Sequence, residues 1–128
     1  MPRAAFRMPE RTSNPTNPAL LWHVSDFGVG CSPGGCVYGF NIYGVASDNT
    51  PGFNTTCNGT SNQDHYAPCQ GKGILSQIEP SSSRNWTVSV QHQWREGMFS
   101  EFYAMGEKNV TSNTTMFTIP VQNVYGVA

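Results

Sequence analysis

Four cysteines, three histidines, a run of glutamates and five Asn-x-Thr triplets with x other than Pro are the residues of this chain whose types and spacing can do chemistry. The cysteines fall into two close pairs, Cys31 with Cys36 and Cys57 with Cys69. Thiolates so spaced can exchange disulfides, hold a metal or cross-link a fold. A redox motif places two residues between its cysteines, whereas Cys31-Ser-Pro-Gly-Gly-Cys36 has four, and only a lone His65 stands ready to complete a zinc ligand set. Cross-linking is the favoured reading, and no metal or other cofactor is expected. Of the three connectivities open to four cysteines we favour Cys31–Cys36 and Cys57–Cys69, because each closes a local loop rich in turn residues. By the chain-entropy argument the second loop contributes roughly 3 kcal/mol and the first about 2 kcal/mol.

The triplets begin at Asn54, Asn58, Asn85, Asn109 and Asn113, and each is an acceptor sequence for N-glycosylation. Disulfides and sequons both belong to an oxidising secretory compartment, so the expected location is secreted and extracellular. Residues 1–19 hold no apolar run of signal-peptide length, which leaves that expectation resting on the cysteines and sequons. No stretch has the length and apolarity to span a bilayer as a helix, and no membrane insertion is expected.

Catalysis has few anchors. His23, His65 and His92 stand in no nucleophile or metal motif, and the sequence lacks the serine-hydrolase elbow, the zinc-protease helix and the glycine-rich phosphate loop. His92 alternates with apolar residues and reads as a buried or rim histidine. Glu96, Glu101 and Glu107 are the remaining route to an enzyme, since a glycosidase needs two carboxylates about 5 to 9.5 Å apart across a sugar cleft. Charges on turns and an edge strand are the favoured reading of those glutamates, and no catalytic residue is assigned; a small secreted hydrolase using Glu96 and Glu101 is one alternative. Trp86 and Trp94 read as core, leaving Tyr43, Tyr66 and Tyr125 as the candidates for exposed binding contacts. A carbohydrate-binding module built on them is a second alternative.

The elements that must position these residues are strands. Leu, Ile, Val and Phe make only 24 of 128 residues, with ten Val against three Leu, while Thr, Ser, Asn and Gly abound. Such a composition favours sheet and turn over helix. Charged residues are 12%, about half the usual share, and Lys occurs only at Lys72 and Lys108, so no basic surface for nucleic acid is present. The length suits one hydrophobic core. Residues 1–19, with Pro2, Pro9, Pro15 and Pro18, read as a flexible N-terminal tail unable to join a ladder, and residues 20–128 as a single domain.

Alternation with period two sets the strands. The clearest is 86–94, where Trp86, Val88, Val90, His92 and Trp94 share one face. Tyr38, Phe40 and Ile42 align within 36–46, and a first strand over about 21–27 carries a slip between Val24 and Phe27. Further strands are expected over 52–57, 73–78, 98–106 and 115–121, with the longest loop at 58–73. Six to eight such strands point to an all-β antiparallel sandwich or barrel.

Trp22-His-Val-Ser-Asp-Phe27, Tyr38-Gly-Phe-Asn-Ile42, Phe53-Asn-Thr-Thr-Cys57 and the following polar loop with His65-Tyr66 and Cys69 resemble the front half of the Alternaria major-allergen family. That family comprises small secreted fungal β-barrels, some of which elicit the plant hypersensitive response. The resemblance covers about residues 20–70. It implies a β-barrel or sandwich, a loop disulfide matching Cys57–Cys69, and a role at a host surface or cell wall. Cys36 has no counterpart in the family, and the family's later cysteines have none here. The expected function is therefore a non-catalytic effector- or elicitor-like binding protein, whose partner is a host protein or a wall component.

Overall fold

The computed structural model describes residues 5–7, 21–46, 50–63, 65–82, 84–96 and 100–127. It is all-β and antiparallel, as the composition requires, and contains no helix among the described residues. Among the described residues nine strands follow one another: β1 (Ala5–Arg7), β2 (Leu21–Ser32), β3 (Gly35–Gly44), β4 (Phe53–Thr60), β5 (Ala67–Pro68), β6 (Ile74–Ser82), β7 (Asn85–Glu96), β8 (Ser100–Thr111) and β9 (Phe117–Val127). Eight of them lie side by side in the order β4-β3-β2-β9-β8-β7-β6-β5, and β1 pairs with the end of β9. The sheet curls until it is nearly closed into a barrel.

Inward-facing side chains follow the period-two pattern, with its phase shifted once in β9, where the pairing with β8 slips between Val121 and Asn123. Trp22 and Val24 of β2, Tyr38, Phe40 and Ile42 of β3, Ile74 and Ile78 of β6, Trp86, Val88 and Val90 of β7, and Ile119, Val121 and Val124 of β9 are all buried in one core. The slip in β2 is a bulge between Ser25 and Gly28. Asp26 takes a positive φ of 54° there, which turns the strand by one residue and returns Phe27 to the core. The amide of Asn41 donates to the Asp26 carboxylate at 3.0 Å and holds the bulge from the neighbouring strand. One buried polar pair crosses the core, Tyr38 Oη with Ser76 Oγ at 2.7 Å.

The two disulfides do different work. Cys31 and Cys36 are directly opposed near the tip of the β2–β3 hairpin, Cα atoms 3.9 Å apart, with Cys36 packed against the rim of the core. The turn ends at Gly35, whose φ of 141° favours glycine and whose missing Cβ makes room for the Asn62 side chain. Cys57 and Cys69 instead join the two margins of the sheet, β4 and the end of β5. Gln70 N donates to Thr56 O at 3.0 Å and Gly71 N to the Thr55 hydroxyl at 2.5 Å beside that bond. This seam draws the margins together with one covalent link and two hydrogen bonds where a ladder would otherwise run.

Several boundaries differ from the sequence reading. Ala5–Arg7 pairs with Tyr125–Val127, which corrects the expectation that no part of residues 1–19 joins a ladder: these three residues lie between Pro2 and Pro9 and carry no proline themselves. The rest of that segment lies outside the described residues. The 58–73 segment gives up its first three residues to β4 and Ala67–Pro68 to β5. Strand β8 runs on to Thr111 and β9 to Val127, beyond the expected ends at 106 and 121. Met98 and Phe99, expected to open the strand that became β8, lie outside the described residues.

Candidate functional site

At one end of the barrel the core becomes a continuous aromatic run. Trp22 packs edge-on against Phe53 at 5.6 Å between ring centroids, Phe53 meets His92 at 4.7 Å, His92 meets Trp94 at 4.9 Å, and Trp94 stacks on Phe102 at 5.7 Å. The alternation that buries Val88 and Val90 continues to His92 and Trp94, but β6 begins only at Ile74, opposite His92. Beyond that pairing β7 and β8 overhang the barrel without cover from β6. An open cleft of about 760 Å³ forms against the overhang, lined by Lys72 and Gly73 on one side and by His92 to Arg95 with Glu101 on the other.

Backbone geometry fixes the near wall of this cleft. Gly73 has a φ of 81°, and a Cβ there would run into the carbonyl oxygen of Gln93, whose own N–H donates to Gly73 O at 2.7 Å. Glycine is thus required for the loop to seat against β7. Lys72, immediately before it, is held at the mouth of the cleft and exposed. On the far wall the Trp94 indole N–H donates to Glu96 at 3.1 Å, which fixes a half-buried ring. Arg95 and Glu101 are cross-strand partners in an ion pair at 3.4 Å, and the Tyr103 hydroxyl donates to the other Glu101 oxygen at 3.1 Å.

His92 sits at the base. It is 5% exposed, and burial pushes its pKa down from 6.5 to about 4, so the imidazole is neutral at physiological pH. The described lining thus offers one neutral imidazole, one ion-paired carboxylate, two cations, an amide and an indole. It presents no hydroxyl or thiol as a nucleophile. Glu96 shares the inward face of β7 with Trp94, whereas Glu101 shares the outward face with Arg95 and Tyr103. The two carboxylates therefore do not converge as a glycosidase pair would. What the arrangement can do is hold a polar ligand by an aromatic face and several hydrogen-bonding groups.

The other sequence candidates are distributed over the outer surface. Tyr43 is exposed and stacks face to face on His23 of the adjacent strand, centroids 4.8 Å apart and planes within 15°. Val45 and Met116 are exposed near it. Tyr66, expected as an exposed contact, is half-buried: its hydroxyl bonds the Ser89 side chain, and burial raises its pKa. Tyr125 lies on β9 between Tyr103 and Arg7, and its side chain is outside the described residues. Asn54, Asn58, Asn109 and Asn113 are exposed and Asn85 is half-buried. All four cysteine sulfurs are in the two disulfides. His65 is exposed on the loop before β5, and Asp64 beside it is outside the described residues.

Of the cleft residues, His92, Trp94, Glu96 and Glu101 carry sequence signals, but none of these points to a shared site. Lys72, Gly73, Gln93 and Arg95 were invisible to sequence reasoning because only the β6–β7 register brings the Lys72–Gly73 turn to them. No helix among the described residues is long and apolar enough to cross a membrane. Comparison with known proteins adds no relative: no family model, no curated protein and no solved structure matches this chain. Two disulfides in so small a β fold fit an extracellular protein.

Proposed function

We propose that this protein is secreted and acts by binding, without catalysis, at the host apoplast or cell wall, as an effector- or elicitor-like protein whose ligand is a wall saccharide held in the cleft beside Trp94. The observation that supports the ligand class is the make-up of that cleft. The half-buried Trp94, Gln93, Arg95, Lys72 and Glu101 line one opening, so an indole edge lies near donors and acceptors of both signs. Pyranose rings present the matching surface, one face of C–H bonds and a rim of hydroxyls. The ion-paired Glu101 and the divergent Glu96 support binding over hydrolysis. The host-surface setting rests on the sequence resemblance to the Alternaria major-allergen family.

The test is retention on insoluble wall polysaccharides together with a glycan array, using the disulfide-intact protein. Wild type is retained, and Trp94→Ala loses at least about tenfold in affinity, as expected when an aromatic platform worth 1–2 kcal/mol is removed. Arg95→Ala and Lys72→Ala, at exposed positions that the fold does not need, weaken binding with unchanged melting temperature. No retention of wild type on any wall fraction overturns the saccharide reading. Release of reducing ends by wild type that is lost in Glu101→Gln overturns the non-catalytic one.

A further inference from the structure

Five sequons are exposed or half-buried, and one of them, at Asn54, stands opposite an exposed tyrosine ring. Across the outer face of β2, β3 and β4, His23, Tyr43 and Asn54 are successive cross-strand partners. His23 covers one face of the Tyr43 ring, centroids 4.8 Å apart with the planes within 15°. The other face looks toward β4, where Asn54 stands directly opposite, and Tyr43 is 45% exposed. An aromatic ring so placed is bare on the one side where a group carried by Asn54 would lie. None of the other four asparagines has an aromatic cross-strand partner among the described residues. Asn58 faces Gly39, Asn109 faces Thr87, Asn85 faces Thr111, and Asn113 lies between β8 and β9.

The hydroxyl of this sequon is already oriented. Thr56, two residues after Asn54, donates to the Asn41 side chain at 2.8 Å, and Asn41 in turn donates to Asp26. This polar row runs beside the His23–Tyr43–Asn54 row on the same outward face and leaves the Asn54 amide clear of both hydrogen bonds.

We propose that Asn54 is N-glycosylated and that the first N-acetylglucosamine packs on the open face of Tyr43. The proposal rests on the secretory part of the functional reading and is independent of the cleft. In the transfer, Asn54 Nδ2 forms a bond to the anomeric carbon of the sugar and gives up a proton to the transferase. The bond from that carbon to the pyrophosphate of a lipid-linked oligosaccharide breaks, and the pyrophosphate leaves with the electron pair. The apolar C–H face of the pyranose then meets the electron-rich ring face of Tyr43, as aromatic contacts favour. The glycan thus replaces water over an exposed ring and adds a partner to β4, the margin strand of the sheet.

Glycopeptide mass spectrometry and thermal unfolding of protein secreted from a eukaryotic host test this. Asn54 is expected to be occupied, and Asn54→Gln to lower the melting temperature by about 3 °C, a shift typical of one aromatic contact in a domain of this size. In a Tyr43→Ala background the same substitution is expected to shift it by less than about 1 °C. Asn54 bare while other sequons are occupied, or an equal shift in both backgrounds, overturns the proposal and leaves the secretory reading standing. Four free thiols with no glycan at any site overturn the secretory reading, and the proposal with it.

Discussion

Acidification should destabilise this protein through His92, by an amount and over a window that the structure specifies. The ring is packed between Phe53 and Trp94, and burial lowers its pKa from 6.5 to about 4. In the unfolded chain it titrates near 6.5. Between pH 6.5 and about 4 the unfolded chain therefore holds a proton that the folded protein lacks, and stability falls as pH falls through that interval. Above the interval the group contributes no slope, and below it the loss is complete. At 1.36 kcal/mol per pH unit the whole window amounts to roughly 3 kcal/mol. Carboxylates titrate in the same range, so the informative quantity is a difference. His92→Phe keeps an aromatic ring against Phe53 and Trp94 but cannot take up a proton. Urea unfolding followed by tryptophan fluorescence from about pH 8 to about pH 4 should show wild type losing roughly 3 kcal/mol more than His92→Phe. Any offset between the two at neutral pH is irrelevant to the slopes. Parallel pH profiles, or a nuclear magnetic resonance titration of His92 centred near 6.5, would refute the reasoning.

Removing Cys57–Cys69 by paired Ser substitution should cost about 3 kcal/mol or more, and removing Cys31–Cys36 about 2 kcal/mol, read as a larger drop in melting temperature for the first pair. Cys57 is fully buried and its bond joins the two margins of the sheet, which places the first figure at the lower bound. Tyr38→Phe should cost about 1–2 kcal/mol, because it takes the partner from the buried Ser76 hydroxyl, and Ser76→Ala should cost less, because the Tyr38 hydroxyl keeps the Gln63 side chain. The double variant should cost less than their sum in a denaturation cycle. Gly73→Ala should destabilise by about 2 kcal/mol or more, since both its φ and the Gln93 carbonyl oppose a Cβ, and should also weaken ligand retention by shifting the cleft wall. Calorimetry and polysaccharide retention on the same sample separate the two effects.

The parts of the fold legible in the sequence are those where a strand has one wet and one dry face. Trp86 to Trp94 and Tyr38 to Ile42 announce themselves by alternation, and even the bulge at Asp26 is visible as a break in the phase between Val24 and Phe27. Alternation fails where a strand leaves the core. Toward the tip of the β2–β3 hairpin Gly28 and Gly30 are exposed with open space beside them, and β8 past Gly106 puts exposed Lys108 in the inward phase, where β9 has left to pair with β2. Local loop closure made the disulfide pairs readable. The cleft was not readable, because it depends on where β6 begins relative to β7, a register that no single segment encodes.

The seam between β4 and β5 also bears on how this molecule behaves in a crowd. An open sheet has two margins, each a row of unpaired backbone groups able to accept a strand from another copy. Here the margins meet over a short stretch, held by Cys57–Cys69 and Gln70 N to Thr56 O, and β5 is only two residues long with Pro68 as its second. One covalent bond thus holds together the stretch where the two margins meet. In a reducing medium the two would be released together, so chain-to-chain strand pairing, ahead of loss of the β fold itself, is the failure this architecture invites.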